Sequence, residues 1–210
     1  MQVFLQLWGG VFYTLNKILF SYSEHIKARG DEVEFRRWRV ASWVVYIVGL
    51  PAWVILLAGN RAWIAAGVES FGFLSMLLGL VIAYRGKGGG YPKWLDVTAR
   101  LCIPLGFLYS LYDFGGLNTV NQWLEIGLVV GFLVGTYLLA KERSVGYLWY
   151  VLMHVSAGGL MWSQGLLWLC AQQVLSLAFI VDAYKIASGQ KKKETGSESK
   201  IDGGSTLSEG

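Results

Sequence analysis

Seven stretches of about 20 mainly apolar residues follow one another along the chain, at 2–22, 38–58, 62–85, 92–113, 120–140, 145–163 and 165–187. Segments of that length and character need hydrocarbon around them, so the expected fold is an all-α integral membrane protein with seven transmembrane helices. Composition agrees: 54% of the residues are hydrophobic and only 15% are charged, an unusual balance for a soluble domain of 210 residues. The first stretch is the weakest, because Gln6, Gly9, Gly10, Asn16 and Lys17 interrupt it. The start lacks the basic region and small-residue cleavage site of a secretory signal, so this stretch is expected to stay in the mature protein.

Charge sets an expected orientation. Lys27, Arg29, Arg36, Arg37 and Arg39 fall between the first two spans, Arg85, Lys87 and Lys93 after the third, Lys141 and Arg143 after the fifth, and a lysine-rich tail after the seventh. The intervening loops carry only Arg61, which predicts a cytoplasmic C-terminus and an external N-terminus. The segment SYSEHIKARGDEVEFRR reads as a surface linker, with Arg36, Arg37 and Arg39 anchoring the start of the second span. Residues 188–210 are rich in Lys, Glu, Ser and Gly and are expected to be a disordered cytoplasmic tail. Basic residues lie between apolar runs rather than along one face, so the expected partner is a lipid bilayer and not a nucleic acid.

The polar residues inside the spans are the candidates for chemistry, since a polar group in hydrocarbon is costly unless it is paired or faces a cavity. Tyr147, Tyr150 and His154, at spacings of three and four, share one helix face. His154 lies about 14 Å inside its span, near the centre of a core about 30 Å thick. Gln172 and Gln173 point about 100° apart, so one is expected to face a pore and the other to join helices. Glu69 is either a hydrated residue near a helix end or a site residue. Two aromatic rings with a few hydrogen-bonding groups suit a flat, partly polar small molecule. The structural alternative is that His154 is a neutral imidazole bonded to a neighbouring helix.

Other features read as architecture. Asp96 and Arg100, four apart, are an expected interfacial ion pair, and Lys185 is the expected partner of Asp182. Pro51 and Pro104 interrupt their helices, and Gly131 and Gly135 form a small-residue face for close packing. Trp38, Trp63, Trp94, Trp123 and Trp162 stand near span ends as interface anchors. Cys102 and Cys170 lie in apolar runs without a ligand-spaced partner, and no catalytic constellation, metal site or cofactor is expected. No Lys or Arg is expected near the midplane, which favours a substrate without a phosphate.

A repeat is also visible. Trp63–Gly86 can be laid over the chain from Trp162 onward, with Ala83-Tyr84-Arg85 matching Ala183-Tyr184-Lys185. The two halves, 1–86 and 120–187, would then be parallel repeats joined by a linker helix at 92–113, with a substrate between them.

The run LEIGLVVGFLVGTYLLAKERSVGYLWYVLMHVSAGGLMWSQGLLWLCAQQVLSLAFIVDAY resembles the C-terminal half of the nicotinamide riboside (formerly nicotinamide mononucleotide) transporters, the PnuC family of bacterial vitamin transporters. The family's sixth helix carries two Trp three residues apart and an Asn four residues later. Tyr147, Tyr150 and His154 fall on those positions, each a replacement by a related type. The resemblance implies a three-plus-one-plus-three helix arrangement in a homotrimer at the inner membrane, and facilitated diffusion without ATP. It further implies that Tyr147 and Tyr150 stack on the nicotinamide ring while His154 and one of Gln172 and Gln173 bind the sugar. Thiamine or a deoxynucleoside on the same fold, or a non-transporting sensor or assembly protein, are the competing expectations.

Overall fold

The structure is a computed structural model that describes residues 2–59, 63–86, 89–114, 119–165 and 167–202. Seven helices make it up: α1 (Gln2–Ala28), α2 (Glu32–Gly59), α3 (Trp63–Arg85), α4 (Lys93–Phe114), α5 (Val120–Ala140), α6 (Val145–Ser163) and α7 (Leu167–Asp202). Thr119 and Gln122 close a reciprocal capping box at the start of α5. The chain after α1 and after α6 turns at left-handed glycines, Gly30 with φ 84° and Gly165 with φ 73°, where a Cβ would be strained.

Six helices close a ring in which α1 packs on α2, α2 on α3, α3 on α5, α5 on α6, α6 on α7 and α7 back on α1. The remaining helix, α4, packs outside that ring against α3 and α5. Contacts between α1 and α7 advance together, from Gly10 with Gln172 to His25 with Asp182, so these two helices run parallel. The same holds across the ring for α2 and α6, where Arg39 meets Tyr147 and Tyr46 meets Tyr150.

Tight approach of α5 to α6 depends on glycine, as expected for Gly131 and Gly135. A Cβ on Gly131 would lie 2.7 Å from the backbone at Met153 and Trp149, and one on Gly135 would press on the Tyr150 ring. Backbones this close gain dispersion contacts that a lipid-exposed pair of leucine faces would not.

Among the described residues five helices, at Val3–Ala28, Glu32–Gly59, Ala66–Arg85, Val120–Ala140 and Leu167–Gln190, are long and apolar enough to cross a membrane. The expectation of seven such spans is therefore met by five. Helix α4 carries Lys93, Asp96, Arg100 and Asp113, and the 19 residues of α6 include three glycines, two serines and His154, which lowers their apolar content. The outer surface suits lipid: Phe4, Leu7 and Val11 on α1, Leu101, Leu105 and Leu108 on α4, and Trp168 and Val174 on α7 are all exposed. These properties are those of a multi-pass membrane protein.

The first connection differs from its expected form. Helix continues through Ser21–Ala28 and resumes at Glu32, so the expected 17-residue linker shrinks to three residues. Its polar residues are used rather than solvated. Arg39, expected as a surface anchor, is 2% exposed and bonded to Glu24, which is 4% exposed. Arg36 does act near the end of the bundle, donating to the Tyr84 carbonyl at 2.6 Å. At the other terminus α7 is helical as far as Asp202, where disorder was expected from residue 188, and 203–210 lie outside the described residues. Adding residues to an existing helix costs far less than starting one, and Gln, Lys and Glu favour the continuation.

One end of the bundle gathers the basic residues. There Asp96 accepts from Arg100 at 2.6 Å, as expected, and also from Tyr137 at 2.9 Å, with Lys141 at 3.3 Å. Asp182 is held directly by Ser21 at 2.5 Å and His25 at 3.0 Å, partners the expected pairing with Lys185 left out, while Lys185 acts on it at longer range. The reason is the parallel packing of α1 on α7, which puts two α1 side chains over it.

Candidate binding site

Lys17 is the residue around which the ring interior is arranged. It sits just past the middle of α1 and is 1% exposed. Its ammonium donates to Asn16 Oδ1 at 2.9 Å and lies 4.1 Å from the Tyr46 ring centroid and 4.4 Å from that of Tyr150. The Tyr13 ring is 5.9 Å away. Ring faces carry negative quadrupole charge, so the three tyrosines stand in for part of the water an ammonium loses on burial. Among the described residues Lys17 has no carboxylate within 4.0 Å. The nearest acidic group in the network is Glu69, one residue removed: its Oε2 accepts from the Tyr13 hydroxyl at 2.7 Å.

This placement overturns the expectation that no Lys or Arg approaches the midplane. In sequence Lys17 looked like a blemish in a weak span. Two of its ring partners lie on other helices, α2 and α6, and only Tyr13, four residues earlier on α1, stands at a local spacing. The electrostatic objection to a phosphate at this depth therefore does not hold.

The expected site residues divide among several places. Tyr150 is fully buried in the Lys17 cluster, its hydroxyl 3.0 Å from Thr136 Oγ1 and 3.4 Å from the Tyr46 hydroxyl. Glu69 joins the same cluster through Tyr13. One helical turn nearer the basic end, Tyr147 belongs to a second network. It donates to Glu24 Oε1 at 2.7 Å and accepts from Arg39 Nη1 at 3.0 Å. The shared face of Tyr147, Tyr150 and His154 is thus real, but the helix spreads the three residues along its axis to different partners.

His154 and Gln173 meet directly, with Nδ1 2.7 Å from Oε1. An amide oxygen accepts only, so Nδ1 carries the proton and Nε2 is left as an acceptor. That Nε2 is buried without a partner. The His154 ring stands edge-on to Tyr150 at 6.3 Å, which links it to the Lys17 cluster. Both residues also line a cleft of about 330 Å³ between α6 and α7, with Trp162 and Cys170. Gln172 turns the other way and donates to the Gly10 carbonyl at 3.0 Å, beside a cleft of about 400 Å³ between α1 and α7. The two glutamines do point to different neighbours, but both join helices, Gln173 to His154 on α6 and Gln172 to Gly10 on α1. Both clefts are of small-molecule size, and neither reaches Tyr147, Tyr150 or Glu69.

Set against models of known protein families, curated proteins and solved structures, the chain matches none.

Proposed function

We propose that this chain is a membrane transporter that lets a vitamin-like ring compound, nicotinamide riboside, enter the cell by facilitated diffusion. The observation that carries the reading is Lys17. A charged side chain sealed halfway along an apolar helix is expensive to keep and marks a substrate or ion path by default. Here it is surrounded by tyrosine faces, with a carboxylate and a histidine one contact further out, which is the equipment for holding a flat, polar solute.

The arrangement of helices supports a three-plus-one-plus-three plan. If α1, α2 and α3 correspond to α5, α6 and α7, the α3–α5 junction becomes the counterpart of the α7–α1 junction, and both are present in the ring. Helix α4, outside the ring, would restore the direction of the second half. Ala83 and Ala183, matched in the repeat, are both buried, at 2% and 0% exposure. Nicotinamide riboside itself, the homotrimer and the inner membrane rest on the sequence resemblance of residues 120–187 to the PnuC family.

A specific observation favours the competing, non-transporting reading. The hydroxyls of Tyr147 and Tyr150 already have protein partners, and neither of the two clefts described opens onto their rings. Uptake of labelled nicotinamide riboside by cells expressing this chain separates the two. Accumulation above that of cells without the chain is expected, and equal accumulation would leave the interior residues as structural ones.

A further inference from the structure

Among the described residues two cations are buried, and they are held in opposite ways. Arg39 lies 4.3 Å over the Phe20 ring, but it also has a carboxylate, Glu24, at 3.2 Å and the Tyr147 hydroxyl at 3.0 Å. Direct bonds to a carboxylate and a hydroxyl fix it in place. Lys17 has one amide oxygen, Asn16 Oδ1, and otherwise only ring faces. An ammonium carries three donors, so its hydrogen bonds are incompletely satisfied within the protein. What holds it is mostly the attraction of aromatic faces for positive charge, and that attraction does not depend on which cation supplies the charge.

We infer that the faces of Tyr46 and Tyr150 form a binding site for an organic cation, that the Lys17 ammonium occupies it as a built-in stand-in, and that the substrate must displace Lys17 to bind. The groups around the site all favour positive charge: three tyrosine rings, the Asn16 oxygen and, through Tyr13, Glu69. An anion in the same place would meet the same ring faces with the wrong sign. Two cations cannot share the site without strong mutual repulsion at low dielectric. Lys17 has four rotatable side-chain bonds, and Glu69 beyond Tyr13 is the acceptor toward which the displaced ammonium would swing. Such an exchange keeps one positive charge between the rings in both the empty and the loaded protein. This deepens the transport reading, whose substrate carries a pyridinium charge, by naming Lys17 as the group that substrate displaces, and it rests on that reading only in calling the bound cation a substrate.

The test uses purified full-length protein in lipid nanodiscs and two probes that differ in charge alone around the same ring. These are 1-methylnicotinamide, a pyridinium cation, and neutral nicotinamide. Lys17→Met empties the site of its charge, and Lys17→Gln does so while retaining a donor for Asn16, which guards against loss of folding in either variant. Calorimetry should show the cation binding at least about tenfold tighter to both variants than to the parent, with nicotinamide unchanged. In the Lys17→Met background Tyr150→Phe keeps the ring face and should keep this gain, whereas Tyr150→Leu should abolish it. No gain in variants that unfold at the parent's temperature overturns the inference, as does an equal gain for nicotinamide, which would mean a vacated volume rather than a cation site. Uptake in cells is scored separately. Tight cation binding without uptake would sink the transport reading and leave the site standing, and uptake without the charge-dependent gain would do the reverse.

Discussion

Arg39 Nη1 donates to the Tyr147 hydroxyl at 3.0 Å, and that hydroxyl donates onward to Glu24 Oε1 at 2.7 Å, so three helices share one buried chain of charge-assisted bonds. Arg39 also reaches the Leu139 carbonyl at 3.4 Å, which brings in α5. Breaking a buried ion pair from one side leaves the other charge without compensation, at a cost of about 3–5 kcal/mol. Arg39→Met should therefore lower stability by about that amount, and Tyr147→Phe by only about 1 kcal/mol, because Arg39 and Glu24 stay bonded directly to each other at 3.2 Å. The double variant Glu24→Gln/Arg39→Met should recover part of the loss. Denaturant titration of the purified variants checks this; a double variant no better than Arg39→Met alone would show that the two charges do not compensate one another.

Close packing of α5 on α6 makes a second prediction. A methyl group on Gly131 would meet main-chain atoms of Met153 and Trp149, which cannot rotate away, so the helices would have to separate. Overpacking of that kind costs about 1–3 kcal/mol. On the facing helix Gly158 has only Gln173 Cβ near it, at 3.7 Å, an ordinary contact. Gly131→Ala should be clearly destabilising and Gly158→Ala close to neutral or better, since alanine favours a helix. Thermal unfolding of the pair is the measurement, and equal melting temperatures would mean that the α5–α6 interface is looser than its geometry.

Much of this was legible in the sequence. Seven helices appear where the apolar runs stand, because run length and flanking charge report them directly, but α1, α2 and α7 extend beyond the expected bounds into polar sequence. The glycine face, the Asp96–Arg100 pair and the separation of Gln172 from Gln173 were also readable, since each depends on helical spacing alone. The interior was harder. Sequence alone counts Lys17 against its span and places Arg39 at the surface, because a buried cation looks the same in sequence as a badly placed one. What distinguishes them is a partner on another helix: Glu24 lies across the α1–α2 turn from Arg39, and Tyr150 lies on α6, far along the chain from Lys17. Neither contact leaves a signal in the local pattern of its own helix.

The basic end of the bundle predicts orientation. Arg36, Arg85, Lys141 and the α1–α7 pair of His25 with Asp182 all gather there, so the positive-inside rule puts that end in the cytoplasm. A reporter active only in the cytoplasm should be active when the chain is fused to it after Gly90 or Gln190 and silent after Gly165. Activity at Gly165 would reverse or break the assigned topology.

His154 offers the sharpest separation of function from architecture. Its Nδ1 is committed to Gln173, its Nε2 is buried with no partner, and both residues line the cleft between α6 and α7. A solute bearing a hydroxyl could donate to Nε2, and in the proposed function that hydroxyl belongs to the ribose. Removing the imidazole would cost the solute a hydrogen bond and strand Gln173, about 1–3 kcal/mol, or roughly 5- to 150-fold in affinity for nicotinamide riboside. His154→Asn, which keeps a hydrogen-bonding side chain there, should lose much less. Because His154 and Gln173 act through one contact, His154→Ala/Gln173→Ala should lose less than the sum of the two single variants. Calorimetry with nicotinamide riboside and thermal unfolding must be read together. If His154→Ala melts lower but binds as the parent does, the histidine only ties α6 to α7, and the site lies elsewhere in the ring.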